Sequence, residues 1–369
     1  MADTADKDHV VEIEDATVRF EMDRGVARVV DGVDLSLRRN EIFGLVGESG
    51  SGKSMLASTM LDAVEDPGVL TGDVTYYPEG RDPTAVLDLS PSELRRLRWE
   101  DVSMVFQGAL DSFNPTLNVR QHFQETLSAH DESREAGMDR ARELLSELYL
   151  DPEKALGSYP HELSGGMKQR ALIALALVLE PEVLVMDEPT GALDLLMQRS
   201  ILGLIKKLQR RYDLTILFIS HDLPLVANLA DRIGVMYAGT LAEIGPAADV
   251  VERPAHPYTR ALLKTVPSLT TPFEEMRPIE GEPPDPVETI QGCRYAPRCP
   301  LADEWCRGSE PPYEEVRPDH RAKCIHTEDA PEAVPLDAGP GPSTGDGSTG
   351  EASTGDGSTG EASTDGGVR

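Results

Sequence analysis

A glycine-rich stretch that follows an apolar run constrains the fold of this chain more than any other feature. The sequence EIFGLV, residues 41–46, leads into GESGSGKS, residues 47–54, and the helix-forming run MLASTMLDAV comes next. This order of strand, glycine-rich loop and helix matches the pattern G-x-x-x-x-G-K-[ST] in the context that it requires. The stretch therefore predicts a phosphate-binding loop, called the P-loop below, within an α/β fold.

The residue types of the P-loop suit a nucleotide and a metal ion. Backbone N–H groups of a glycine-rich turn can surround a phosphate chain, and the helix that follows adds its positive end. Lys53 supplies charge to the β- and γ-phosphates, and the Ser54 hydroxyl can ligate Mg²⁺. The predicted nucleotide-binding residues of the loop are Gly47, Glu48, Ser49, Gly50, Ser51, Gly52, Lys53 and Ser54.

A second stretch, VLVMDE at residues 183–188, places two carboxylates directly after a buried strand. Such a strand delivers Asp187 to the carboxyl edge of a parallel sheet, where it can hold Mg²⁺ through water. Glu188 follows in a position to polarise an attacking water molecule. We therefore predict Asp187 as a metal ligand and Glu188 as the catalytic base.

The third stretch, LSGGMKQR at residues 163–170, opens a helix with a second phosphate-binding surface. Ser164 is a typical N-cap residue, and Gly165 and Gly166 leave backbone amides uncovered at the positive end of the helix. This stretch resembles the signature sequence of ABC-type ATPases, which closes over the nucleotide held by the P-loop of a partner subunit. The usual signature ends in Gln, whereas Met167 stands here.

The resemblance to ABC-type ATPases assigns further residues. Gln107, in VSMVFQGALDSFNP, resembles the glutamine that senses the γ-phosphate site and the membrane partner, and it is expected to be a ligand of Mg²⁺ with Ser54 and Asp187. Asp194, in GALD, resembles the acidic residue of the loop that follows the catalytic carboxylates. His221, in LFISHDL, resembles the histidine that bonds the γ-phosphate, and it joins Gln107 and Glu188 as a catalytic residue. Phe20, at the end of the first predicted strand, is expected to stack on adenine.

The same resemblance implies the architecture of the first part of the chain. Residues 10–255 are expected to form an ABC ATPase domain with a RecA-like core, an antiparallel β-subdomain and a helical subdomain at about residues 95–175. Helical periodicity dominates residues 92–180, and β-branched runs alternate with helices in residues 181–245. That alternation predicts a parallel sheet with crossover helices.

Prolines multiply after residue 252, so residues 256–326 are expected to form a separate, irregular module. HPYTRALLKTVPSL, IEGEPPDP and GCRYAPRCPLADEWC together are similar to the C-terminal extension of dipeptide and oligopeptide ABC importer ATPases. The resemblance implies an ATPase that drives peptide uptake. Nickel or oligosaccharides are alternative cargoes. The competing interpretations are a soluble ABC ATPase outside transport, an exporter ATPase, and a redox or metal sensor that the ATPase gates.

The importer resemblance also implies partners and a location. Two transmembrane permease subunits and a second ATPase subunit, either a copy of this chain or a paralogue, would assemble with it, the two ATPases head to tail. An extracellular solute-binding protein would act indirectly. We predict no secretory leader, and the longest apolar run has nine residues, so we expect a peripheral position on the cytoplasmic face of the membrane.

All four cysteines lie near the C-terminus, at Cys293, Cys299, Cys306 and Cys324. Disulfides are disfavoured in a cytosolic protein, zinc modules usually show a closer cysteine pair, and common ferredoxin spacings do not match. The spacing alone leaves iron–sulfur, zinc and unligated thiols open, and the importer resemblance implies a 4Fe-4S cluster, with Zn²⁺ as the alternative. His320 and His326 are expected to be solvated surface residues rather than ligands.

The chain is strongly acidic, with a formal net charge of −30. Such a surface repels phosphate backbones, so we expect no nucleic-acid partner. Only eight of the 35 basic residues are lysine. This bias is typical of a halophile, and with the importer resemblance it suggests a halophilic archaeon as the source. The repeat STGDGSTGEA predicts that residues 327–369 are a disordered acidic tail.

Overall fold

The computed structural model describes residues 9–106, 108, 112–191, 194–265 and 279–336, and its strands form two sheets. The strands, in chain order, are β1 His9–Met22, β2 Gly25–Arg38, β3 Ile42–Val46, β4 Gly68–Tyr76, β5 Thr84–Ala85, β6 Val102–Val105, β7 Val183–Asp187, β8 Thr215–Ser220, β9 Arg232–Tyr237, β10 Thr240–Pro246, β11 Glu314–Arg317 and β12 His320–Ala322.

Twelve helices surround the sheets in the described ranges. They are α1 Lys53–Thr59, α2 Pro91–Arg96, α3 Val119–Ala129, α4 Arg134–Glu147, α5 Pro152–Gly157, α6 Gly165–Ala176, α7 Leu195–Tyr212, α8 Leu223–Ala227, α9 Ala247–Glu252, α10 Pro257–Lys264, α11 Glu304–Gly308 and α12 Ala330–Ala333. None of these helices combines the length and the apolar character needed to cross a membrane.

The larger sheet forms the centre of the fold, with strand order β11-β12-β10-β9-β3-β8-β7-β6. β9, β3, β8, β7 and β6 run parallel, as the alternation of strands and helices predicts. Both faces of this parallel part are covered: in β7, Val183 and Val185 join one apolar cluster and Leu184 and Met186 join the other. Continuous apolar strands of this kind are typical of parallel sheets buried on both faces.

The smaller sheet is the predicted antiparallel subdomain, with strand order β2-β1-β4-β5. β1 lies between two partners and pairs with both of them antiparallel. Its inward side chains pack with those of α1 in one apolar cluster, which also contains one face of the parallel sheet. The P-loop, which connects β3 to α1, therefore lies where the two sheets meet.

Residues 92–180 contain the predicted helices and one strand that their helical periodicity does not predict. α3, α4, α5 and α6 pack against one another and bury Phe123, Leu127, Leu144 and Leu145. Residues 102–105 instead form β6, which pairs with β7 at the edge of the parallel sheet. The run VSMV is fully buried, and four buried residues are too few for periodicity to distinguish a strand from a helix.

The C-terminal extension is not the separate irregular module that its prolines suggest. β12 pairs with β10, where Glu243 lies opposite Ala322, and β11 pairs with β12, so the extension adds two strands to the central sheet. The described chain also continues past the predicted start of the tail at residue 327. α12 lies in that stretch, with Ala330 fully buried, because this part of the tail still carries apolar side chains.

Candidate functional site

The P-loop adopts a backbone that only glycine can provide at two of its positions. Gly52 has a φ angle of +102°, and a Cβ atom there would lie 2.4 Å from the carbonyl oxygen of Val29. A Cβ atom on Gly47 would lie 2.1 Å from the carbonyl oxygen of Met236. Side chains at these positions would collide with the neighbouring strands, so the loop stays tightly wrapped at the end of β3.

Lys53 lies at the first position of α1 with its ammonium group turned back onto the loop. Its Nζ donates to the carbonyl oxygens of Gly47 and Glu48 at 3.0 and 2.8 Å. Burial lowers the pKa of Lys53, against the opposing effect of the carboxylates of Glu188, Asp187 and Glu48. A buried cation held against a glycine-rich turn at the start of a helix is suited to the phosphates of a nucleotide.

Asp187 ends β7 and faces Ser54 of the P-loop. Asp187 is only 3% exposed, and the Ser54 hydroxyl lies near its carboxylate. Its Oδ1 atom has no hydrogen-bond partner among the described residues. Burial raises the pKa of Asp187. A buried carboxylate with an unpartnered oxygen beside a hydroxyl fits the oxygen ligands that Mg²⁺ prefers, so the predicted metal ligands Ser54 and Asp187 are brought together.

Glu188 and His221 meet at the ends of β7 and β8. His221 Nδ1 lies 3.1 Å from Glu188 Oε1. The His221 side chain is 62% exposed, and the Glu188 side chain is 19% exposed. The backbone of Glu188 has a φ angle of +44°, which is uncommon outside glycine, and its N–H donates to the carbonyl oxygen of Ile219 at 3.0 Å. The carboxylate of Glu188 thus lies beside His221, as a predicted base that follows Asp187 at the end of β7.

The signature residues open α6 as expected. Ser164 is the N-cap, and its Oγ accepts a hydrogen bond from Met167 N–H at 3.3 Å. Gly166 lies against the side chain of Met197 on α7. Asp194 is the N-cap of α7 and accepts from Met197 N–H at 2.9 Å. The predicted signature residues and Asp194 are thus neighbours of one another, at the starts of two adjacent helices.

The roles of all these site residues stay predictions, and the structure adds less about two further ones, Gln107 and Phe20. Gln107 lies outside the described residues. Phe20 is half-buried near the end of β1, opposite Ala27 of β2 and Gly68 of β4. A Cβ atom on Gly68 would lie 2.8 Å from the Phe20 ring, so the ring rests against β4 with part of its surface in solvent. That exposed part is what stacking on adenine would use.

Comparison with known proteins agrees with this geometry. The ABC transporter family model matches residues 30–191, and the model of the oligopeptide/dipeptide transporter C-terminal region matches residues 242–306. The chain is 39% identical to the dipeptide transport ATP-binding protein DppD of Caldanaerobacter subterraneus, over 82% of this chain and 92% of DppD. The chain belongs to the ABC transporter family. It is also 40% identical to the oligopeptide transport ATP-binding protein OppD of Escherichia coli, over 86% of this chain and 93% of OppD.

Solved ABC transporter structures share the fold. The dimeric structure of the bacterial ABC transporter cassette MJ0796 has a TM-score of 0.56 and 27% identity, and covers 64% of this chain and 98% of that one. The same values hold for the dimeric post-hydrolysis state of MJ0796 bound to ADP and Pi. The predicted ABC-type ATPase fold is confirmed, and this ABC protein is an ATPase that binds ATP.

The extension of this ABC ATPase gathers the four cysteines around one small pocket. All four are free thiols, with Cys306 and Cys324 buried. Burial raises the pKa of each thiol, to about 11 for Cys299 and about 12 for Cys324, and at Cys293, Cys299 and Cys324 neighbouring cysteines add to the effect. Thiolates crowded in this way are costly without a cation, so the cavity is suited to a thiolate-bound metal centre.

The two histidines of the extension are not the solvated surface residues that the sequence suggests. His320 is fully buried on β12, and its Nε2 lies 2.7 Å from Glu243 Oε1 on β10. His326 lines the cysteine cavity, and its Nε2 is 3.2 Å from Asp303 Oδ2. The ligand atoms of Asp303, Cys306 and His326 lie within 4.8 Å of one another. His326 therefore occupies a place from which it can contact a bound metal centre.

Sequence reasoning missed one part of the site, the contact of the extension with the P-loop. Tyr258 of α10 accepts a hydrogen bond from the Glu48 N–H at 3.0 Å, and Arg298 pairs with the Glu48 carboxylate. These contacts span 210 and 250 positions of the sequence. No local sequence pattern connects residues so far apart. The presence of the extension was the one sequence feature that could have suggested a contact with the P-loop.

Proposed function

We propose that this ABC ATPase is the motor subunit of a membrane importer and couples ATP hydrolysis to the uptake of dipeptides or oligopeptides. The observation that carries the proposal is the match of residues 242–306 to the C-terminal region of oligopeptide/dipeptide transporters. Relatives named for dipeptide and oligopeptide transport, at 39–40% identity over most of the chain, support the same cargo.

The described residues supply the chemistry of ATP hydrolysis. Lys53 and the backbone N–H groups of the P-loop bind the phosphates, and Ser54 and Asp187 would hold Mg²⁺, which neutralises charge on the phosphates when bound. Glu188 takes the proton of the attacking water, and His221 lies within hydrogen-bond distance of that carboxylate. Burial of Lys53 and Asp187 keeps both groups away from bulk water, which strengthens their interaction with the phosphates.

A second ATPase subunit completes each site in this proposal. Ser164, Gly165 and Gly166 lie at the start of α6, where their backbone amides would bind the nucleotide on the facing subunit. The dimeric structures of MJ0796 support a paired arrangement. Two permease subunits would anchor the pair peripherally on the cytoplasmic face of the membrane, and an extracellular solute-binding protein would deliver cargo to them.

Uptake in cells tests the function. A strain that lacks this chain should lose import of labelled dipeptides and longer peptides, and the wild-type chain but not Lys53→Ala should restore it. Loss of nickel or oligosaccharide import with normal peptide import would assign another cargo to the same importer class. Normal import of all of them, with the chain absent from membranes, would overturn the transport function.

We further propose that Cys293, Cys299, Cys306 and Cys324 bind a 4Fe-4S cluster that stabilises the extension. Support comes from the single cavity that all four line, and four thiolates are the usual ligand set of such a cluster. Zinc on the same thiolates is the alternative. A cluster would supply folding free energy to a segment with many prolines and few apolar residues, because ligand binding is coupled to folding.

Metal analysis of protein purified without oxygen distinguishes these centres. We expect brown protein that contains iron at about four atoms per chain. Cys306→Ser should lose the colour and most of the iron, whereas the neighbouring Trp305→Phe should keep both. One zinc per chain with no iron would contradict the cluster and leave a structural metal site in its place.

The acidic composition leads to a proposal about the working medium. We propose that the protein functions in concentrated salt, as its net charge of −30 and its preference for arginine over lysine suggest. Salt shortens the reach of repulsion between carboxylates, to about 3 Å at 1 M. The melting temperature should rise from 0.1 to 3 M KCl. A melting temperature that is highest at low salt would contradict this.

A further inference from the structure

Glu48, the second residue of the P-loop, is held from outside the ATPase core. Its backbone N–H donates to the Tyr258 hydroxyl at 3.0 Å. Its carboxylate accepts two parallel hydrogen bonds from the Arg298 guanidinium, Nη1 to Oε2 at 2.7 Å and Nη2 to Oε1 at 3.1 Å. Both partners belong to the C-terminal extension, so the extension is hydrogen-bonded to the first turn of the P-loop.

Arg298 is built into this position. Its side chain is only 3% exposed. Beyond Glu48, its Nε donates to the carbonyl oxygen of Glu280 at 3.0 Å, Nη2 donates to that of Ile279 at 3.2 Å, and Nη1 donates to the Tyr237 hydroxyl at 3.2 Å. All five N–H donors of the guanidinium therefore have partners, which fixes its plane. An arginine on the surface of the extension would leave some of its N–H donors to water.

The contact continues from Glu48 to the phosphate-binding lysine. The Glu48 carbonyl oxygen accepts a hydrogen bond from Lys53 Nζ at 2.8 Å. Glu48 is thus held at its N–H by Tyr258, at its carboxylate by Arg298 and at its carbonyl by Lys53. A change in the position of Arg298 would be transmitted to Lys53 through a single residue.

The attachment of the extension does not depend on Arg298 alone. β12 pairs with β10 in the central sheet, and Arg294 of the same cysteine-bearing loop bonds to Asp31 and to the Ala238 carbonyl oxygen. The extension would therefore remain docked without the Arg298 contact. The specific effect of Arg298 is to fix the P-loop, through a paired contact whose two parallel bonds set orientation as well as distance.

We propose that Arg298 is a positioning residue of the ATP site, which acts through Glu48 to hold the P-loop and Lys53 in the geometry that binds phosphate. The extension is thereby part of the nucleotide site, although none of its residues is assigned a contact with the nucleotide. This inference rests on the ATPase activity and is independent of which cargo the importer carries.

Kinetics of the full-length chain, purified without oxygen, test the inference. Arg298→Met should raise the KM for ATP roughly tenfold and change kcat much less, because it weakens ground-state and transition-state binding alike. Arg298→Lys should recover little, since an ammonium group cannot form the two parallel bonds. Arg307→Met is the matched control: Arg307 is an exposed arginine that bonds within the extension, to Ala302 and Asp303, and its variant should keep the wild-type KM.

A double-mutant cycle separates positioning from a general loss of structure. Glu48→Gln should also raise the KM, and the combined Arg298→Met and Glu48→Gln protein should be no worse than the poorer single variant. Effects that multiply, or a wild-type KM in Arg298→Met, would overturn the proposal. If Arg298→Met does not fold, Glu48→Gln decides, because it leaves the extension intact: an unchanged KM in that variant also overturns it.

Discussion

The position of Glu188 depends on an unfavourable backbone conformation that its neighbours stabilise. Its φ angle of +44° falls in the left-handed region, which costs a non-glycine residue about 1 kcal/mol. The hydrogen bond to the Ile219 carbonyl and the contact with His221 hold the residue there. Strain of this kind is common where a side chain must point into a site. Here the unusual backbone conformation lies at Glu188, directly after the buried Asp187.

Replacing Glu188 with Gln removes the base and keeps the shape. We expect Glu188→Gln to bind ATP, to hydrolyse it about 10² to 10⁴ times more slowly, and to form a stable ATP-bound dimer, because the γ-phosphate stays in place. ATP titration measures the binding, phosphate release measures the hydrolysis, and the molecular size in the presence of ATP shows whether the dimer forms. Glu180→Gln is a matched control, since Glu180 is another glutamate with positive φ, on the surface. Near-normal turnover in Glu188→Gln would show that another group is the base.

The places that some predicted site residues take in the fold could be predicted where a short pattern marks them. Lys53, Ser54 and Asp187 sit next to strand ends that the sequence marks with apolar runs, and parallel strands bring such ends together. Arg298 was not predictable, because its partner lies 250 positions away and the sequence offers many similar arginines. His320 was misjudged for the same reason: its burial depends on Glu243, a carboxylate in a distant strand.

At the scale of elements, the proposed mechanism gives complementary tasks to the starts of α1 and α6. In that proposal, Lys53 of α1 binds the phosphates of its own subunit, whereas the amides at the start of α6, after the N-cap Ser164, bind the nucleotide of a second subunit. β6 and β12 show what the sequence could not reveal at this scale. Both are short strands whose place depends on pairing with β7 and β10, and local periodicity does not record a pairing partner.

The two helix starts can be tested separately and then together. Lys53→Ala should lose ATP binding, and Ser164→Arg should bind ATP as a monomer but lose hydrolysis, because arginine blocks the surface that faces the partner. An equal mixture should recover up to about a quarter of the wild-type rate if the chain pairs with itself, since half of the dimers keep one complete site. Phosphate release is measured after mixing.

A substitution on another helix controls for the added arginine. Ser146→Arg, at an exposed position of α4, should hydrolyse ATP at the wild-type rate. Mixed dimers of Lys53→Ala with Ser164→Arg that are confirmed by size yet inactive would contradict a site shared between two subunits.

At the scale of the whole molecule, the folded unit extends to Leu336 and not to the predicted end at residue 326. Arg260 of α10 is buried and donates from Nε to the Val334 carbonyl oxygen at 2.6 Å. α12 packs on α10, the helix whose Tyr258 holds the P-loop. The ten residues after position 326 therefore support the element through which the extension reaches the ATP site.

Two truncations test where the folded unit ends. Removing residues 337–369 should leave the melting temperature and the ATPase rate unchanged, because Val368 is the only large apolar residue of that segment and ordering it would cost more than its burial returns. Removing residues 327–369 exposes the apolar surface under α12 and leaves the Arg260 donor without its acceptor. That should lower the free energy of unfolding by about 2–4 kcal/mol and raise the KM for ATP. Equal melting temperatures for the two truncations would contradict a folded unit that reaches Leu336. A large fall in melting temperature when only residues 337–369 are removed would show that this segment has a structural role.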